Sequence, residues 1–120
     1  MKPKIDSTTF GSITIGGEKY EHDVIIRLSG KVKKRKKKLS KSVFGSSHTI
    51  SLDEAEHVYR EGADLLIFGT GQYGAAGLSD AAKRFFEEKE CKVLSMATPE
   101  AVAAWNGAEG NVIGLFHVTC

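Results

Sequence analysis

The stretch that most limits the fold is Gly110–Cys120, GNVIGLFHVTC. From Val112 to Val118 the one polar side chain is His117. A strand that is apolar on both faces needs cover above and below it. Left at a sheet edge, it would be a long, sticky template for unwanted pairing. The segment therefore predicts a central strand. Leu65-Leu-Ile-Phe68 carries the same pattern, and Lys92–Met96 reads as a third strand in the same half. Helical patterns lie between them, which implies parallel neighbours joined by right-handed crossovers.

Three helices fit that scheme. Ser51-Leu-Asp-Glu54 matches a capping box, so a helix over Leu52–Glu61 is expected, with Leu52, Ala55, Val58 and Tyr59 inward and Gly62 as its stop. A second begins at Ser79 or Asp80 and turns Ala81, Ala82, Phe85 and Phe86 to the core. Thr98-Pro99-Glu100 caps a third, with proline in the first turn, Val102 and Trp105 inward, and Gly107 or Gly110 at its end. Upstream, Phe10–Tyr20 reads as a hairpin turning at Gly16-Gly17, and Asp23–Leu28 as a further strand closed by Ser29-Gly30. The fold class is three-layer α/β, with a central mixed β-sheet, flanking helices and an N-terminal antiparallel hairpin or meander. A chain of 120 residues supports one such core, so residues 1–120 are read as a single domain.

Charge is distributed unevenly. Lys31–Lys41 holds eight of the 17 Lys and Arg residues, and no Asp or Glu falls between Val24 and Leu52. Outside that run nine basic residues face 15 acidic ones, a formal charge of −6. Val32 and Leu39 are its only apolar residues, so it suits an extended edge strand or a solvated loop. Nucleic-acid binding through the run would need clustered cations, which are present. It would also need interleaved aromatics or a recognised motif, which are not.

No apolar run approaches the length of a membrane helix. The opening MKPKIDSTTFG has no apolar stretch of signal-peptide type, so the expected compartment is the cytoplasm. Cys91 and Cys120 are too few for a disulfide scaffold and are read as reduced thiols. His117 and Cys120 have His-x-x-Cys spacing without a second pair, so neither a metal nor a cofactor is expected.

Gly69-Thr-Gly-Gln-Tyr-Gly74 formally matches G-x-G-x-x-G and follows a strand. In a dinucleotide fold the third glycine opens a helix. Here Ala75-Ala-Gly-Leu78 intervenes before Ser79, and the next strand has no acidic residue to hold a ribose. What survives is a glycine-rich turn at the carboxyl end of a strand, with backbone N–H groups able to meet an anion.

Several patches together resemble the adipogenesis-associated domain family. These are Phe10-Gly11; Gly30-x-Val32 leading to Arg35, Ser40 and Phe44-Gly45-Ser46-Ser47-His48; Gly69-x-Gly71; and the ending Phe116-His117-Val118-Thr119-Cys120. The resemblance implies a three-layer α/β fold and no particular reaction. Its relatives include a mitochondrial complex I assembly factor, whose role does not carry over to a chain without a targeting peptide.

The candidate ligand-binding residues are accordingly Arg35, Ser47, His48, Gly69, Thr70 and Gly71, with His48 as the one candidate for proton transfer. The first reading is a small, non-enzymatic binding or assembly module. Its crevice joins the Gly69–Gly74 loop to the Arg35–His48 segment and takes a protein partner or a small anion; self-association is open. The rival is a small enzyme or ligand sensor, Arg35 holding the anion while His48 moves a proton. A third reading gives the lysine run to nucleic acid.

Overall fold

The computed structural model describes residues 2–120. Its main sheet has five strands in the order β5-β4-β10-β7-β9: β4 (Val24–Ile26), β5 (Val32–Lys34), β7 (Leu65–Thr70), β9 (Lys92–Met96) and β10 (Val112–His117). All six residues of β10 are buried, as its composition requires. It pairs in parallel with β7, antiparallel with β4, and so sits in the middle. The parallel half (β10, β7, β9) and the antiparallel half (β4, β5) make the sheet mixed.

Side chains alternate between the two faces. Val24, Ile26, Ile67 and Phe116 point to one core, while Ile25, Leu66, Phe68, Ile113 and Leu115 point to the other. Helices α2 (Leu52–Val58) and α3 (Asp80–Glu88) cover the second face with Ala55, Val58, Ala82 and Phe86. The first is covered by α4 (Thr98–Gly107) and by the meander β1 (Ile5–Thr9), β2 (Ser12–Ile15), β3 (Glu18–Tyr20). The Asn106 side chain clips the meander to α4, accepting from the Ile5 N–H and donating to the Ile5 carbonyl. A parallel pair of short strands, β6 (Thr49–Ile50) and β8 (Gly77–Leu78), completes the set.

Several local expectations need correcting. Phe10 is not in a strand: β1 precedes it, Phe10-Gly11 makes the turn, and Phe10 is 58% exposed. The lysine run begins as the edge strand β5, but its second half folds into a short helix, α1 (Lys38–Phe44), fixed by the buried Ser40. Helix α2 stops at Val58, three residues early, and Leu52 faces outward. Thr98 does not cap α4; its hydroxyl accepts from the Gly71 N–H and donates to the His117 carbonyl.

Candidate functional site

At the carboxyl end of β10 the sheet holds a buried cluster of charge. Asp23, just before β4, Arg35, just after β5, Glu54 in α2 and His117 at the end of β10 are each at most 4% exposed. The Arg35 guanidinium forks onto Glu54, with Nε to Oε2 at 2.6 Å and Nη2 to Oε1 at 3.0 Å. Nη2 also donates to the Ser47 carbonyl at 2.7 Å, and Nη1 to Asp23 Oδ2 at 2.9 Å. Ser40 donates its hydroxyl to Glu54 Oε1. Asp23 Oδ2 also accepts from His117 Nδ1 at 2.7 Å, and Oδ1 from the Val118 N–H at 2.8 Å. Four ionisable groups can leave water together only because every oxygen and nitrogen is matched in this way. Burial alone would raise the Asp23 carboxyl. The bonds from His117, Val118 and Arg35 outweigh it and hold the group down at about 2. Arg35 is pushed the other way: burial disfavours its charge, but Glu54 and Asp23 more than restore it.

The expected anion hook is therefore engaged. Arg35 holds anions that belong to the chain itself. The glycine-rich loop is engaged as well. Gly71 N–H goes to Thr98 Oγ1, Gln72 N–H to the Thr119 carbonyl at 2.6 Å, and Tyr73 and Ala75 N–H both to the Cys120 carbonyl at 3.2 and 3.1 Å. Gly71 takes φ 110°, and a Cβ there would stand 2.3 Å from the Cys120 carbonyl carbon. Gly69 is tight as well, though less so, since its Cβ would meet Phe116 and Thr98 at 2.9 Å. Thr70 is buried, and its carbonyl accepts from the Ala76 N–H. Ser47 enters through its backbone carbonyl. His48 is exposed and lies edge-on to His117, ring centres 5.4 Å apart. The His117 Cδ2 would in turn lie 2.9 Å from a Cβ on Gly71. One ring, that of His117, thus touches both segments on which the sequence reading placed its crevice.

The open space lies next to that cluster. A cleft of about 680 Å³ has Asp23, Arg35 and Val118 at its base and Lys34, Lys36, Lys37, Lys38, His22 and Thr119 around it. Glu21 is the one acidic side chain on its wall besides Asp23. The nearest lysine to the cluster is Lys37, its Nζ 3.7 Å from Asp23 Oδ2. Arg35 offsets one of the two carboxylates it binds, so four lysines face Glu21 and the one remaining charge of the Asp23 and Glu54 pair. A second cleft of the same volume, between α3 and β9, balances Lys83 and Lys92 against Glu87 and Glu90 and favours neither sign. Its cysteine, Cys91, is pushed up to about 11 by burial and by Asp64, which removes its reactivity. Thr119 is half-buried, with its hydroxyl 3.2 Å from His117 Nε2. Asp23, His117 and Thr119 therefore form a hydrogen-bonded line from the buried cluster to the cleft. Among the described residues no group of His, Cys, Asp or Glu is arranged to hold a metal ion, and no helix is long and apolar enough to cross a membrane.

A family described as a protein of unknown function (DUF498/DUF598) matches residues 5–116. The chain belongs to that family. This DUF498/DUF598 member is similar to the conserved hypothetical protein PH1505 from Pyrococcus horikoshii OT3, at 33% identity and a TM-score of 0.91, over 98% of this chain and 99% of that one. A solved structure described as MT938 is 29% identical, TM-score 0.82, over 99% and 100% of the two chains. A Mth938-like domain from Bordetella pertussis shares the fold at 15% identity and a TM-score of 0.61, over 97% and 85%. No curated protein matches the chain.

Sequence reasoning missed Asp23, Glu54, His22 and Thr119. Glu54 was legible only as a capping-box residue. Ser51 does accept from the Glu54 N–H, but the Ser51 N–H goes to Ser40 Oγ and frees the Glu54 carboxylate for Arg35. The one available signal for Asp23 was a carboxylate leading directly into a β-branched strand.

Proposed function

We propose that this DUF498/DUF598 domain is a small, non-enzymatic binding module that takes an anionic group in the lysine-lined cleft. One observation carries the reading: four lysines converge on a single cleft at the carboxyl end of the central strand, where α/β folds place their ligands. The body outside the lysine run is acidic, so the cleft is a local positive well that steers anions. In this reading Arg35, Ser47, His48, Gly69, Thr70 and Gly71 frame the site. The Arg35 network fixes the lysine segment at its base, and the loop fixes Thr119. The resemblance to adipogenesis-associated proteins implies no particular reaction, and assembly of a respiratory complex is not carried over. A cytoplasmic setting is part of the proposal.

A second reading is a small enzyme or ligand sensor in the same cleft. It draws on the Asp23–His117–Thr119 line, in which an ionised carboxylate orients an imidazole toward a hydroxyl, with exposed His48 packed alongside. Turnover of a phosphate monoester that Thr119→Val abolishes, with binding intact, would favour it.

The test of the first reading is calorimetric titration with polyglutamate and with inorganic polyphosphate at two salt concentrations. Binding should weaken steeply with salt and be lost in Lys34→Glu/Lys37→Glu. Binding indifferent to both changes would remove the cleft as the site.

A further inference from the structure

Phe10 and Tyr73 are 58% and 80% exposed, and their ring centres lie 6.1 Å apart at a 41° tilt. Both stand on fastened backbone. Gly11 takes φ 87° and donates its N–H to the Val118 carbonyl at 2.7 Å, which ties the Phe10 turn to the end of β10. The Tyr73 N–H donates to the Cys120 carbonyl at 3.2 Å. The Gln72 side-chain amide donates to Thr8 Oγ1 at 3.1 Å and so joins the glycine-rich loop to the meander. Each ring is thus anchored to residues 118–120. Gly11, the residue after Phe10, lines the lysine cleft together with Val118 and Thr119, so the chain that carries the aromatic pair is shared with the cleft wall.

Two large exposed rings held on rigid turns beside a cluster of cations suit one kind of ligand. The lysines take an anion, and the rings take a flat, polarisable surface. An acidic peptide supplies carboxylates but no obligatory flat ring, and a bare phosphate supplies none. A nucleoside phosphate supplies both on one short scaffold. Aromatic stacking in a positive groove is also how single strands are held without reading sequence, because every base has a π-face. The aromatic component missing from the lysine run in the sequence is supplied in space by residues 10 and 73.

We propose that Phe10, Tyr73 and the lysine cleft form one site for a nucleoside phosphate, either a free nucleotide or a unit of a single-stranded nucleic acid. This rests on the reading of the cleft as an anion site and adds the base-stacking half. Phosphate oxygens lie against Lys34 and Lys37, and the base stacks on the aromatic pair.

The experiment uses the full chain and two matched comparisons: oligothymidylate against an abasic strand of equal length, and adenosine monophosphate against ribose 5-phosphate. The base-bearing member should bind more tightly. Phe10→Ala or Tyr73→Ala should weaken it by about 5- to 150-fold, the range of one stacked base, while leaving the abasic or sugar-phosphate partner unchanged. Both side chains are exposed, so the variants should keep the wild-type melting temperature. A strand source predicts a loss of about 20- to 50-fold in affinity between 50 and 200 mM salt, for three to four phosphate contacts. A free-nucleotide source predicts that the monophosphate alone shows the base preference. Equal binding within each pair, still lost in Lys34→Glu/Lys37→Glu, would overturn the inference and leave the anion site standing. No binding of any of the four at low salt would overturn the inference, and the anion reading falls with it only where polyglutamate and polyphosphate also fail to bind.

Discussion

Replacing Arg35 by methionine keeps most of the side-chain volume and removes the one charge that four acceptors share. The guanidinium makes two bonds to Glu54, one to Asp23 and one to the Ser47 carbonyl, all at the buried base of the cleft. Without it Glu54 keeps only the Ser40 hydroxyl, while Asp23 keeps His117 and the Val118 N–H. The size of the effect is set by that unpaired buried charge more than by the attraction lost, which puts the destabilisation at about 3–5 kcal/mol. In a domain of this length that is a fall of about 10–20 °C in melting temperature. Urea denaturation followed by circular dichroism measures it, and pH supplies a second axis. In the wild type, Asp23 binds fewer protons folded than unfolded, so stability rises with pH through the acid range. In Arg35→Met the carboxylate left buried without its partner can relieve that cost by taking up a proton, so the deficit should narrow as pH is lowered from about 7 to about 5. Arg35→Lys should fall between, since an ammonium cannot reproduce the fork onto Glu54 while reaching Asp23 and Ser47. A loss below about 1 kcal/mol, or a deficit that widens on acidification, would refute the view that this cluster is held together by its arginine.

Other outcomes follow from the same geometry. Asp23 falls from an ordinary carboxylate value of 3.8 to about 2 on folding. Its contribution, about 2 kcal/mol, is complete above pH 4 and lost as pH falls toward 2. Acid titration of Asp23→Asn should show a correspondingly shallower decline. Neutralising Lys33, Lys34, Lys36 and Lys37 to glutamine should change stability by no more than about 0.5 kcal/mol each, read by thermal melting. A large fall would mean that the lysines pack rather than line a cleft. Gly114→Ala should cost about 1–3 kcal/mol by overpacking, because its Cβ would lie 2.5 Å from the Phe116 ring and 3.1 Å from Trp105.

The parts of this protein that could be read from sequence are those in which one strand or helix decides its own environment. Val112–Val118 had to be central whatever its neighbours were, and the caps at Ser51 and Ser79 work as local chemistry says they should. The site was legible only as a list of parts. Arg35 and Glu54 are 19 residues apart, and Asp23 and His117 are 94 apart. Nothing in a lysine-rich run shows which of its eight cations turns inward. Arg35 differs from its neighbours in carrying a planar fork that can satisfy several buried acceptors at once, which an ammonium cannot. The partners of the glycine-rich loop were hidden for a related reason. Its N–H groups are indeed arrayed for oxygen, but the oxygens are the carbonyls of Thr119 and Cys120.

The pairing of β4 with β10 also bears on how the domain assembles. Ile25 meets Leu115 across about 90 residues of chain, so that edge of the sheet closes only after a long loop has been ordered. Such non-local pairing slows folding and leaves the inner edge of β4, three consecutive β-branched residues, waiting for its partner while β5 covers the other. The lysine run follows after a four-residue turn and supplies β5. Its charge repels other chains from that waiting strand, so the residues that later ring the cleft act first as gatekeepers against aggregation.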